Sequence, residues 1–76
     1  MNNERRKKLS AIVKTVDDIR VDLNSVLNEE QEAFDNLPEP LQYSDRGTDI
    51  ELAIESINKA ADSLSEAKLH LLDASM

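Results

Sequence analysis

The chain has 76 residues, a net charge of −7 and no cysteine, which limits it to one small domain with no disulfide staple and no thiolate metal site. Phe34 and Tyr43 are its only aromatics and Gly47 its only glycine, so strands and turn-rich β architectures are disfavoured. With 33% of residues charged and the apolar set dominated by Leu, Ile, Val and Ala, the composition is that of a helical bundle or short coiled coil.

The first element is a helix expected over about 4–36. With Leu9 at heptad position a, the a series reads Leu9, Val16, Leu23, Glu30 and Leu37, and the d series reads Ile12, Ile19, Val26 and Ala33. Position e adds Val13, Leu27 and Phe34. This apolar stripe is wider than a bare two-stranded seam, and Glu30 is its one interruption. The basic start, Arg5 to Lys8, is followed by Lys14, Asp17 and Asp18 rather than by an apolar core of the kind a signal peptide carries. No apolar run approaches the ~20 residues that span a bilayer. A cytoplasmic protein without membrane contact is expected.

A connector over about 37–48 comes next. Pro38 lacks an amide proton and disfavours helix at Leu37, so the first helix ends near Asp35 or Asn36. Two restart signals follow. Ser44 is placed to cap a helix beginning at Asp45, whereas Thr48 with Glu51 has capping-box spacing and favours a start at about Asp49. The later start is the one expected here.

The second helix, about 49–75, is more regular. With Ile50 at a, the a series is Ile50, Ile57, Leu64 and Leu71, the d series is Ala53, Ala60, Ala67 and Ala74, and Ile54 and Ala61 stand at e. An alanine every seventh residue is expected to let the facing helix approach closely, with large residues of the first helix seated over it. If Asp35 lies opposite Asp49, Leu9 lies opposite Ser75, so the stripes match in length. The expected architecture is therefore all-α: an antiparallel, coiled-coil-like two-helix hairpin. A chain this short buries only about 60% of its unfolded surface, and a small scaffold without staples commonly adds a partner subunit. A homodimer forming a four-helix bundle is expected. Glu30, Leu52, Leu69 and Leu72 are its candidate interface, Glu30 as a register-fixing polar group and the three leucines as apolar residues outside the main stripe.

Charge is segregated along the chain. Residues 1–28 carry +2, residues 29–55 carry −8 and residues 56–76 carry −1. In a hairpin the turn end is thus acidic and the terminal end mildly basic. The acidic end is a candidate docking surface for a basic protein, with Glu29, Glu32, Asp35, Glu39, Tyr43, Asp45 and Arg46 as its candidate residues.

Sequence features that carry catalysis or cofactor binding are scarce. His70 is the sole histidine, too few for a zinc site in a chain without cysteine. The Glu29-Glu30-x-Glu32 cluster lacks the E-x-x-H partners of a di-iron bundle. A single glycine excludes a phosphate-cradling loop, and no serine has a base with an orienting partner. Arg5 to Lys8 alone would give weak, salt-sensitive contact with nucleic acid against an acidic body. No enzyme activity, cofactor, metal or small-molecule substrate is expected.

The stretch Asp35-Asn36-Leu37-Pro38-Glu39-Pro40-Leu41-Gln42-Tyr43-Ser44-Asp45-Arg46-Gly47 resembles the D-N-L/M-P-E-x-L-Q-x-S-x-R-G connector of a family of short, largely uncharacterised proteins from bacteria, their phages and other mobile elements. Members share the basic start and the alanine-spaced second helix. Pro40 departs from the family pattern, where a small or polar residue is common. The resemblance implies a phage or mobile-element setting and no particular activity. The expected function is a non-enzymatic protein-interaction module that binds or inhibits a host protein through its acidic connector end. The alternative is a small assembly subunit acting only through helix–helix oligomerisation.

Overall fold

A computed structural model describes all 76 residues, Met1–Met76. It contains α1 (Asn3–Asp35), a single helical turn α2 (Glu39–Gln42) and α3 (Asp45–Ala74), with no strand. The rod measures 58 × 15 × 12 Å with a radius of gyration of 17.3 Å, against about 11 Å for a compact domain of this length.

Asn2 starts α1. Its backbone is extended and its Oδ1 accepts the Arg5 amide at 2.9 Å, satisfying one of the donors that a helix start leaves free. The helix closes at Asp35, as Pro38 requires. The Asn36 amide still reaches the Glu32 carbonyl at 2.9 Å, and the Leu37 amide turns tighter, onto Phe34 at 3.1 Å. The chain then reverses and α3 packs along α1. The all-helical hairpin read from the sequence is the observed architecture.

The seam differs from the expected one in its choice of stripe. Every a and e position of α1 from Arg6 to Phe34, and every one of α3 from Ile50 to Lys68, is at least half-buried, as are Leu37, Leu71 and Ser75. The d positions are not. Ile12, Ile19, Val26 and Ala33 of α1 are exposed, and so are Ala60, Ala67 and Ala74 of α3; only Ala53 is half-covered. The alanine row therefore does not carry α1. Burial per area favours the choice on α3 alone. There, Ile54 at e brings more apolar surface into the seam than an alanine methyl does; on α1, Val13, Leu27 and Phe34 at e stand against Ile12, Ile19 and Val26 at d, and a/e spacing alternates by four and three residues just as a/d spacing does.

One ion pair crosses between the helices. Lys68 Nζ lies 3.0 Å from Asp17 Oδ1, and Arg20 Nη1 approaches the same oxygen at 3.2 Å. Lys68 is one residue from the position that an Asp35–Asp49 register places opposite Asp17. The other ion pairs, Glu4–Lys8 and Glu55–Lys59, span single turns. Hydrogen bonding from Lys68, with its charge and that of Arg20, holds the Asp17 carboxyl below its ordinary pKa against a smaller opposing effect of desolvation.

A carboxylate with a lowered folded pKa adds stability above its unfolded value, near ~3.9, and loses that contribution as pH falls through the folded value. Asp17→Asn is therefore expected to lower the melting temperature at pH 7. The gap from wild type should close below about pH 4 in circular-dichroism melts. A gap of equal size at pH 7 and pH 2.5 would contradict this.

Candidate functional site

The connector is the most distinctive stretch of the sequence, and the fold uses most of its distinctive residues. Pro38 stands before α2, and its carbonyl accepts the amides of Leu41 at 2.8 Å and Gln42 at 3.2 Å. Pro40 occupies the first turn of α2, where a helix needs no amide donor, so this proline is accommodated without a break.

Gln42 turns back onto the end of α1. Its Nε2 donates to the carbonyls of Phe34, at 3.3 Å, and Leu37, at 3.2 Å; the first also takes the Leu37 amide, and the second lies just past the helix end. Ser44 has extended backbone at the start of α3, and its carbonyl takes the Thr48 amide at 3.0 Å. Its hydroxyl donates back to the Leu41 carbonyl. Helix α3 thus begins at Asp45, not at Asp49. Thr48 is inside the first turn because Ser44 already supplies the helix entry.

Gly47 is the one fully buried residue of the chain. Its φ is not positive, so no special backbone conformation calls for glycine. Space does. A Cβ there would stand 2.6 Å from the Gln42 carbonyl carbon and 2.8 Å from its Cα. The first turn of α3 lies directly on the backbone of α2.

Glu29, Glu32, Asp35, Glu39, Asp45 and Arg46 are all exposed at this end of the rod, and none takes part in an ion pair. Asp35 accepts a hydrogen bond from Gln31 at 3.1 Å. Tyr43 is 82% exposed beside them. The candidate docking residues are therefore all exposed toward the connector end of the rod. Of the candidate oligomer residues, Glu30 is half-buried in the seam without an ion-pair partner, while Leu52, Leu69 and Leu72 are exposed on the outer sides of α3. Leu52 is 17 positions from Leu69, about 26 Å along the helix, so the three leucines make two separate patches.

The sequence reading did not anticipate a second apolar face. In an antiparallel pair, equivalent heptad positions of the two helices fall on the same side. The d rows of α1 and α3 thus share one long side of the rod, where Ile12, Ile19 and Val26 are 48%, 46% and 45% exposed. The opposite side carries b positions and is mostly polar, with Ser10, Asp17, Asn24, Gln31, Glu51, Asn58 and Ser65, though Leu72 is 44% exposed there. The rod has no pocket and no grouping of three His, Asp or Glu side chains placed to hold a metal ion. Neither helix is long and apolar enough to cross a membrane. No protein-family model, curated protein or solved structure matches this chain.

The Gly47 contact gives a sign-sensitive expectation. Glycine to alanine inside a helix ordinarily gains about 1 kcal/mol. Gly47→Ala should instead cost about 1–3 kcal/mol by overpacking against Gln42, measured as a lower urea midpoint at unchanged slope. A stabilised variant would show that the close approach is not needed.

Proposed function

We propose that this chain is a non-enzymatic protein-interaction module that works by packing helices along its sides, as an assembly subunit whose product is a four-helix bundle. One observation carries the reading: no apolar side chain of the 76-residue hairpin is fully buried. A single seam between two helices covers one stripe of each, and Ile12, Ile19 and Val26 stay exposed in one row beside it, with Val21, Leu52, Leu69 and Leu72 exposed on other sides. A small chain gains the burial it lacks by adding helices from another molecule.

The reading is tested by sedimentation equilibrium and by thermal melts over a hundredfold range of concentration. The melting temperature is expected to rise with concentration, because association stabilises by mass action. A clean monomer at micromolar concentration that melts cooperatively, at one temperature throughout, overturns it.

A second reading is docking of a basic protein surface on the acidic connector end, favoured by the unpaired carboxylates around exposed Tyr43. Host proteins are the natural partners in the mobile-element setting that the resemblance implies. Gln42, Ser44 and Gly47 serve the turn itself, which leaves the acids and Tyr43 to carry any recognition. Reversing Glu32, Asp35, Glu39 and Asp45 to lysine is expected to abolish salt-sensitive capture of such a partner while the helical spectrum is retained. An unchanged set of captured proteins removes this reading.

A further inference from the structure

We propose that the open d face is covered by a second copy of this chain running in the opposite direction, with the two connectors at opposite ends of the bundle. This deepens the assembly reading and rests on it. It names the face, the occupant and the orientation.

Area points to a partner of ordinary size. The hairpin exposes 5708 Å², whereas a compact monomer of 8.5 kDa exposes about 4,700 Å². The excess, about 1,000 Å², is close to the ~800 Å² that each partner contributes to a standard interface. The apolar side of the rod is the surface suited to supply it.

Symmetry points to a second copy. About Ile19, an inverted copy sets Ile19 against Ile19, Ile12 against Val26, and Ala33 against Arg5 at each end of the row. The alanine row is its own reverse about a point between Ala60 and Ala67. In the hairpin, Ile19 stands level with residues 65–66 by the register that Asp17 and Lys68 mark. The two centres differ by about two residues, roughly 3 Å, so a two-fold axis at Ile19 offsets the two alanine rows by about four residues and sets Ala60 and Ala67 level with Leu71 and Leu64 of the copy. Large residues then meet across α1, and alanines face leucines across α3.

Charge selects the orientation. Inverted packing brings the basic start of each chain beside the acidic connector end of the other. At the rim of α1, Lys8 meets Glu29 of the second copy, and the contact occurs twice. Packing with connectors together would instead join two ends of charge −8, which is repulsive.

The absence of native cysteine makes a direct test available. Two single-cysteine chains, Ile19→Cys and Tyr43→Cys, are oxidised at low micromolar concentration, each beside a urea-unfolded control. Ile19→Cys is expected to form a covalent dimer at least tenfold faster than its control, and Tyr43→Cys no faster than its own. Rapid linking of Tyr43→Cys with none at Ile19 overturns the orientation while leaving the assembly reading intact. A dimer by sedimentation that links at neither position places the interface on another face and also overturns the proposal. A monomer by sedimentation removes both readings. Independently, Lys8→Glu is expected to weaken dimerisation several-fold, and adding Glu29→Lys in the same chain to restore it. Failure of the pair to restore it counts against the inverted arrangement.

Discussion

Everything in this structure depends on a limit of geometry: two helices have one line of contact. Each can shield about a third of its circumference against the other, and here that third is the a and e rows. The seam takes Leu9, Val16, Leu23, Leu27 and Phe34 from α1 and Ile50, Ile54, Ile57, Leu64 and Leu71 from α3, and even these are only half-covered. The remaining apolar rows have nowhere to go within one chain. The shape of the molecule, its lack of a pocket and its uncovered side all follow from that limit.

Much of the architecture was legible in the sequence because the signals were periodic. Pro38 ended α1 where backbone chemistry requires, and the matching lengths of the two stripes set the hairpin register that the Asp17–Lys68 pair reflects. The choice of seam was harder to read. Rows d and e flank row a almost equally, and an unbroken alanine track looks like a packing surface. On α1 the two rows are close in side-chain area, Ile12, Ile19 and Val26 at d against Val13, Leu27 and Phe34 at e, and on α3 Ile54 at e outweighs an alanine row. The start of α3 was obscured by two competing caps. Ser44 prevailed because α2 had already turned the chain, and a one-turn helix leaves little periodic trace.

The candidate docking residues were legible as an acidic end but not in their individual roles. Their neighbours Gln42 and Gly47 turned out to belong to the turn. Gln42 had no visible partner in sequence, since the carbonyls that it meets lie five and eight residues earlier. The sequence contains such a contact only as a consequence of the turn itself. What remains exposed at this end is the set of carboxylates and Tyr43.

The two prolines of the connector have a consequence beyond the turn. The same a and e rows would be equally well satisfied if the connector straightened and two chains exchanged their second halves. Each chain would then be a single helix of roughly 110 Å. Heptad repeats do not distinguish the closed form from the exchanged one. Pro38 does, because a continuous helix through it would lose an amide donor and press its ring on the preceding turn. The tight seat of Gly47 on Gln42 adds a contact that only the closed form makes. The connector therefore acts as a topological lock, keeping each chain's partner helix its own.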